Sequence, residues 1–517
     1  FMLVKVKSIA NRGIQTLGVD VEINVSSGGL PGLEIVGLPD KSVAESRDRV
    51  RTAFQNCGLK LPGRKIMINL APADINKEGS FYDLPIAAGL ISASLNISLP
   101  DDALFFGELS FDGSLRHTKG SFLLSLYAKE NGYSRVFVPS SCAKEAASVN
   151  GIFVYAVENL SSLAEHLGGR RIISPVSSGS FTEESQNFSY KNLSREEDLD
   201  IGEIIGQEYV KRALEICAAG GHNLIMVGPP GSGKTMLAKA LVSILPDLSE
   251  EESIEVTKIY SLVGKIPPNC GLLRKRPFRN PHHTISYAGM IGGGSNPLPG
   301  EITLAHRGVL FMDEFSEFTR PVLESLRQPL ESGKITVSRS RCSVDFPSKF
   351  MLIASSNPCP CGHYGDPKKE CTCSENKIRN YQAKLSGPIL DRIDLHVNVL
   401  PVDKNRLFSS NRSVEINSKY ILDRVLKAHE IQSKRFEGEG IFFNCDMSNS
   451  QIEKYCNLKS DSKKLLLQAV EKFSLSTRAY FKIMKVARTI ADINGENDVE
   501  ADHIAEAVQY RSKIFLQ

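Results

Sequence analysis

Eight consecutive residues, Gly228-Pro229-Pro230-Gly231-Ser232-Gly233-Lys234-Thr235, satisfy the pattern G-x-x-x-x-G-K-[ST]. Glycines at these positions let backbone N–H groups close around a polyphosphate at the start of a helix, where the dipole favours negative charge. Lys234 is spaced to reach the β- and γ-phosphates, and Thr235 to offer its hydroxyl to Mg²⁺. Later in the chain, Asp313 and Glu314 close the apolar run Gly308-Val309-Leu310-Phe311-Met312. In phosphoryl chemistry Asp313 would hold Mg²⁺ through water, and Glu314 would orient and deprotonate the attacking water. A strand ending in two acids is common by itself, and the phosphate loop is what gives it meaning. Together the two motifs imply a site for a nucleoside triphosphate.

Two further constellations keep two readings each. Asn357 ends the apolar run Leu352-Ile353-Ala354-Ser355-Ser356; it is either a polar tip for the γ-phosphate or the lytic water, or a plain turn former. Cys359, Cys361, Cys371 and Cys373 give C-x-C-x₉-C-x-C. Four thiolates can close a tetrahedral zinc shell, with Gly362 suited to the tight turn after the first pair. The other reading is four reduced thiols on a loop, since C-x-C is tighter than the common C-x₂-C knuckle. Cys57, Cys142, Cys217, Cys270, Cys342, Cys445 and Cys456 are scattered and read as packing residues.

These residues need elements to hold them. Leu224-Ile225-Met226-Val227 reads as a buried strand entering the phosphate loop, and Met236 to Leu241 as the helix leaving it. Val19 to Val25 alternates as a half-wet strand, Lys41 to Cys57 is helix-compatible, and Lys65 to Leu70 is a strand. Leu84 to Leu95 is an apolar helix, and Arg135 to Pro139 a strand stopped by proline. From Gly168 to about Asp198 the chain is rich in Ser, Asn and Glu with little periodicity, the composition of a linker. Tyr420 to Leu426 starts a helical period that continues toward the end. The expected layout is an α/β domain over 1–167, a linker over 168–199, an α/β nucleotide domain over 200–402 and an all-helical domain over 403–517. Met290-Ile291-Gly292-Gly293-Gly294-Ser295 reads as a flexible loop.

The chain resembles an AAA+ ATPase, and Asn280-Pro281-His282-His283-Thr284, Pro299 to Gly308, Leu326 to Glu331 and Asn357 to Gly362 are similar to its magnesium-chelatase-like branch. Within that branch the resemblance is to the bacterial ComM/YifB family, over essentially the whole length. It implies an α/β AAA+ P-loop core with a small helical lid, and ATP and Mg²⁺ as ligands. It further implies homo-hexamers with ATP sites between subunits, and DNA branch migration in natural transformation on single-stranded and branched DNA. By the same resemblance the backbone of Ile205-Gly206-Gln207 flanks adenine. Arg392 is the arginine finger reaching a neighbour's γ-phosphate, otherwise an exposed salt-bridge partner. Arg478 is the sensor-2 arginine of the lid, where a basic residue is expected again at position 482; Lys482 keeps the charge but not the bidentate fork.

Residues 332–346 read as a hairpin, which in the resembled branch points into the ring channel. Arg339 and Arg341 near its turn and Lys334 at its base would there face DNA phosphates. The alternative is an ordinary charged turn. The N-terminal region resembles the α/β proteolytic domain of Lon proteases, of the ribosomal-S5-like group. Phe81 falls where the catalytic serine belongs and Phe122 where the lysine base belongs, and neither can attack a carbonyl or take a proton. Ser80 and Lys119 are displaced from those positions, which leaves a shifted dyad as the minor alternative. The region then reads as a binding or assembly module with a protein partner unknown.

At 517 residues the chain exceeds one core, and its length suggests about three domains. A formal net charge of +3 means that any nucleic-acid affinity comes from a local basic surface. No run of about 18 apolar residues exists, so no membrane span is expected. Phe1 ahead of Met2 has the look of a cloning remnant, with no signal peptide behind it. Eleven cysteines, four of them clustered, suit a reducing cytoplasm with a metal site better than a secreted disulfide framework. Two other classes stay open: a protein remodeller, including a magnesium-chelatase motor subunit, and an ATP-dependent protease. Phe81 and Phe122 argue against the protease. The N-terminal domain is taken as a feature that chelatase motor subunits lack.

Overall fold

The computed structural model describes residues 2–26, 28, 30–73, 77, 79–176, 199–267, 270–294, 297–339, 342–366, 369–385, 387–401, 417–473 and 475–511. Most of the expected linker, residues 177–198, lies outside these, as do residues 402–416. The chain divides into two compact units. The first is Phe1–Arg195 with Ser249–Arg274 and Gly294–Leu298, and the second is the remainder.

The first unit carries a seven-stranded sheet. Its strands are β1 (Met2–Arg12), β2 (Gln15–Val25), β3 (Gly32–Val36), β4 (Lys65–Ala71), β5 (Ala103–Phe105), β6 (Arg135–Pro139) and β7 (Phe153–Val157), in the order β3-β4-β2-β1-β5-β6-β7. β1 and β2 form a long antiparallel hairpin, paired from Met2 with Val25 to Arg12 with Gln15. The alternation seen from Val19 marks one buried face, since Val19, Val21, Ile23 and Val25 are buried and the residues between them are not. The apolar helix Asp83–Leu95 covers that face. At Gly89 a Cβ would stand 2.3 Å from Ile23 Cδ1, so only glycine lets helix and sheet approach this closely.

Two further features of this unit concern its expected edges. Val176, within the segment expected to be a linker, exchanges backbone hydrogen bonds with Val154 of β7 at 2.7 and 3.2 Å. The helix Glu250–Val263, which follows the phosphate-loop region in sequence, folds here against the helix Ser121–Glu130. Ser261 donates to the buried carboxylate of Glu145 at 2.6 Å, and the Phe122 N–H donates to the same oxygen at 3.0 Å. Ile254 and Leu272 pack on the local core. Phe122 is itself buried, and Phe81 stacks on Phe106 with centroids 4.5 Å apart. Phe122 is a core member, and Phe81 is partly buried against the core. The Ser80 hydroxyl donates to Glu108, and the methylenes of Lys119 lie against Gly264.

The second unit is built on a five-stranded parallel sheet. Its strands are β8 (Leu224–Val227), β9 (Phe278–Arg279), β10 (Val309–Met312), β11 (Met351–Ser356) and β12 (Leu395–Asn398), ordered β9-β10-β11-β8-β12. β8, β10 and β11 are buried along their whole length, as their continuous apolar runs require in a parallel sheet covered on both faces. The helices Ser418–Arg435, Ser460–Phe473, Thr477–Asn494 and Ala501–Gln509 follow, and their inner faces join the same hydrophobic core as the sheet. The fold is therefore α/β with a helical C-terminal region. Lys334–Arg339 and Cys342–Pro347 form an antiparallel hairpin ahead of β11.

The segment expected to be a flexible loop at Met290 is partly a helix, Tyr287–Ile291. Met290 and Ile291 are buried, and the Ile291 carbonyl accepts from the Gly300 N–H at 3.3 Å. Apolar burial overrides the glycines there, while residues 295 and 296 lie outside the described set. Among the described residues no helix is long and apolar enough to cross a membrane.

Candidate active site

The phosphate loop leaves the C-terminal end of β8, between β11 and β12, where an open parallel sheet presents its ligand crevice. Gly228 has no room for a side chain, because a Cβ would lie 2.2 Å from the Val399 carbonyl oxygen. Gly231 and Gly233 adopt positive φ, and Gly233 caps the helix Lys234–Ala240. Lys234 is buried, and its ammonium donates to the carbonyls of Gly228 at 2.8 Å and Pro229 at 2.9 Å, and to Asn357 Oδ1 at 3.3 Å. Burial pushes its pKa below the usual lysine range, against the pull of Asp313 and Glu314. Of the two readings of Asn357, this contact sets the side chain facing the loop.

Thr235 donates to Asp313 Oδ2 at 2.8 Å, bringing together the two groups expected to hold Mg²⁺. Ser355, one strand over, donates to the other oxygen of Asp313 and fixes the carboxylate plane. This set of a hydroxyl and a carboxylate at a helix N-terminus fits a hard cation bound with phosphate. Mg²⁺ there would neutralise charge on the β- and γ-phosphate oxygens. The protein's part is the lysine ammonium, the loop N–H groups and the carboxylate that anchors the cation.

Glu314 stands at the adjoining position with φ +52, a left-handed conformation rare for a side chain of this type. Its carboxylate is half-exposed and lies 3.2 Å from His283 Nδ1, whose ring is tilted against that of His282 with centroids 4.2 Å apart. Sequence reasoning attached no role to His283. The contact needs β9 and β10 side by side, which no local signal announces. Gln207 bonds the carbonyl of Leu400 at 2.6 Å, next to Val399, and so draws the Ile205-Gly206-Gln207 segment toward the phosphate loop. Gly206 and Gln207 both take positive φ, and Ile205 is exposed.

Arg392 and Arg478 are not in that crevice. Both pair with Glu331, Arg478 at 3.3 Å, and Arg392 also donates to the Pro388 carbonyl at 2.5 Å. With Lys482 they line a cavity of about 720 Å³ whose floor includes Asn223, Gly308 and Met351. Asn223 and Gly308 directly precede β8 and β10, and Met351 starts β11, so the cavity opens at the N-terminal edge of the sheet. Lys234, Asp313 and Asn357 lie at the other edge. A four-residue strand separates the two edges by roughly 13 Å. Lys482 is partly buried, donates to Asp394 and to the Arg392 carbonyl at 2.7 Å, and is pushed down by desolvation against the pull of Asp394. Burial raises the Asp394 carboxyl, but Lys482 and His222 outweigh it and hold it well below the usual range. The fork that sequence comparison would want at 482 is thus unnecessary here, because a single ammonium serves both acceptors.

The four cysteines converge. Their sulfurs all lie within 4.8 Å of one another, with Cys359 3.3 Å from Cys361, Cys359 3.6 Å from Cys371, and Cys361 3.5 Å from Cys371. A tetrahedral shell with Zn–S of about 2.3 Å sets sulfurs roughly 3.8 Å apart, so the donor set fits such an ion. The His363 N–H pulls the Cys361 thiol down to about 5, while without an ion Cys359, Cys371 and Cys373 are held above the ordinary thiol value.

Lys334 is exposed at the base of the hairpin, whose Ile335, Val337, Val344 and Phe346 are buried. Arg341 lies outside the described residues, as does the side chain of Arg339; the Arg339 backbone pairs with Cys342.

A central phosphate loop, an Asp-Glu pair on the neighbouring strand but one, a polar residue on the strand between, and a helical C-terminal region define an AAA+ P-loop ATPase. Three family models match the chain. They are described as Magnesium chelatase, subunit ChlI (residues 200–407), Subunit ChlI of Mg-chelatase (21–142) and Magnesium chelatase, subunit ChlI C-terminal (415–511). The chain is 41% identical over 513 residues to competence protein ComM of Haemophilus influenzae, covering 99% of this chain and 98% of that protein. It is 41% identical over 502 residues to YifB of Escherichia coli, covering 97% and 95%. It is 25% identical over 325 residues to the magnesium-chelatase 38 kDa subunit of Rhodobacter capsulatus, covering 58% and 83%. The chain belongs to the ComM/YifB family of magnesium-chelatase-like AAA+ ATPases, a class that implies ATP and Mg²⁺. The match of residues 21–142 to a model named for a chelatase subunit removes one argument made from sequence, that the N-terminal domain sets the chain apart from chelatases.

Proposed function

We propose that this protein is an ATP-driven DNA motor that promotes branch migration of incoming strands during natural transformation, working as a homo-hexameric ring. The observation that carries the ring is the separation of Arg392 and Arg478 from Lys234 across the sheet. A cation at the far edge cannot serve its own triphosphate, whereas the same edge facing a second copy could deliver it. Full-length likeness to a competence protein supports the DNA substrate. The exposed Lys334 at the base of the hairpin agrees with a phosphate-facing surface. The Cys359, Cys361, Cys371 and Cys373 cluster is read as a structural zinc site, and the first unit as a partner-binding module in the cytoplasm.

The test is an ATP-dependent branch-migration assay on Arg339→Ala with Arg341→Ala, beside gel filtration. DNA affinity and its salt slope should fall while basal ATP hydrolysis persists, because phosphate contacts release counterions and none of these residues belongs to the nucleotide site. Normal branch migration by the double variant would take the hairpin out of the DNA path. The similarity to a chelatase subunit keeps a second reading, a remodeller of protein or porphyrin-bound substrates. Hydrolysis stimulated by unfolded protein but by no form of DNA would favour it.

A further inference from the structure

The cysteine knuckle touches the phosphate loop. Gly362 directly follows Cys361, takes a left-handed turn at φ +82 and donates its N–H to the Cys359 carbonyl at 3.0 Å. A Cβ at Gly362 would stand 2.5 Å from Pro230 Cδ and 2.7 Å from Pro230 Cγ. The knuckle backbone is therefore pressed flat against the third residue of the loop that must wrap the triphosphate. On its other side the knuckle runs through Pro358 into Asn357, the residue facing Lys234 at 3.3 Å. Gln382 pins that connection by donating to the Pro358 carbonyl at 3.1 Å. The four-thiol segment thus meets the nucleotide site twice, at Pro230 and at Asn357.

From this contact we infer that the knuckle, with a tetrahedral divalent metal on Cys359, Cys361, Cys371 and Cys373, braces the phosphate loop and sets its affinity for nucleotide, with Gly362 as the positioning residue. The inference rests on the zinc reading above and adds a consequence for the ATP site. A loop rich in glycine has many conformations to lose when it closes on phosphate, and a rigid surface against Pro230 removes some of them beforehand. A metal supplies that rigidity, because four ligands from two short segments hold their turn only while the ion is present. Without it the contact at Pro230 has nothing firm behind it. The expected signature is a loss of affinity and a raised KM, with kcat at saturating ATP falling much less, since Glu314 and Asp313 sit on a separate strand.

The experiment uses the full chain, with metal content measured on every sample and a fluorescent ATP analogue titrated in the presence of Mg²⁺. Protein as purified should carry about one zinc per chain. Removing it with a chelator should weaken nucleotide binding about tenfold, and adding Zn²⁺ back should restore it. Gly362→Ala should keep its metal yet lose affinity to a similar extent. Pro230→Ala combined with Gly362→Ala should then bind no worse than Gly362→Ala alone, since the clash and the lost brace are one contact. Unchanged affinity after verified metal removal would overturn the brace while leaving the zinc site standing. Strictly additive losses in the double variant would overturn the contact at Pro230. Protein that takes up no zinc, as purified or on titration, would sink the metal site itself and the brace with it.

Discussion

Lys482 donates from Nζ to the main-chain carbonyl of Arg392 at 2.7 Å, so the helix Thr477–Asn494 grips the peptide that carries this arginine. The same ammonium pairs with Asp394, and Arg511 reaches the next carbonyl, that of Ile393, at 2.5 Å. The loop ahead of β12 is held by two cations, one on the helix Thr477–Asn494 and one just past the helix Ala501–Gln509. Replacing Lys482 with Met would leave Asp394 charged and buried, a defect that costs roughly 3–5 kcal/mol. Adding Asp394→Asn should recover a good part of that. Urea unfolding of the wild type, the single variant and the pair measures it, and a double variant as unstable as the single would mean the pair is not the source.

Glu314→Gln should keep ATP binding and lower hydrolysis by about 10²-fold or more, because the base is lost while Asp313, Thr235 and Lys234 are untouched. His283→Gln removes the neighbour 3.2 Å from that carboxylate and should lower hydrolysis less. Single-turnover hydrolysis with bound nucleotide measured in parallel separates the two effects. A Glu314→Gln variant turning over at the wild-type rate would remove Glu314 from the mechanism.

If Arg392 serves a neighbouring copy, two inactive proteins should rescue one another. Arg392→Ala mixed with Lys234→Ala forms interfaces that pair an intact loop with an intact arginine, and those should hydrolyse ATP. Glu331→Gln frees both arginines from their shared carboxylate and should raise, not lower, the rescue obtained per hybrid interface. Hybrid rings verified by mass that stay inactive at every mixing ratio would count against a role across subunits.

Acid should destabilise the second unit through buried imidazoles. Burial pushes His222 down to about 4 and His396 down to about 3, so both are neutral in the fold. His222 sits against Thr489 at 2.8 Å with Asp394, Lys482 and Lys485 around it. An unfolded histidine titrates near pH 6.5, so below that value the unfolded chain binds more protons and stability falls with pH. For His222 the loss is complete near pH 4 and amounts to roughly 3 kcal/mol. His222→Asn should flatten the dependence of unfolding free energy between pH 7 and pH 4.5. An unchanged slope would mean the imidazole does not titrate in that window.

What could be read before folding was whatever is local. The phosphate loop is eight neighbours in sequence, its strand and helix are single apolar runs, and four cysteines within fifteen positions are close in any fold that turns once. β2 announced itself because burial alternates along it, and β10 and β11 because both their faces are covered. Tertiary structure alone brought Ser355 to Asp313, His283 to Glu314, and both Arg392 and Arg478 to Glu331. It also folded Glu250–Val263 into the first unit and buried Met290 where glycines suggested a loop. Periodicity records which side of an element avoids water but not what covers that side, and a glycine records freedom without saying which neighbour, such as Pro230 at Gly362, will use it. Partners distant in sequence are chosen by the order of strands in the sheet, and that order is a property of the whole packed core.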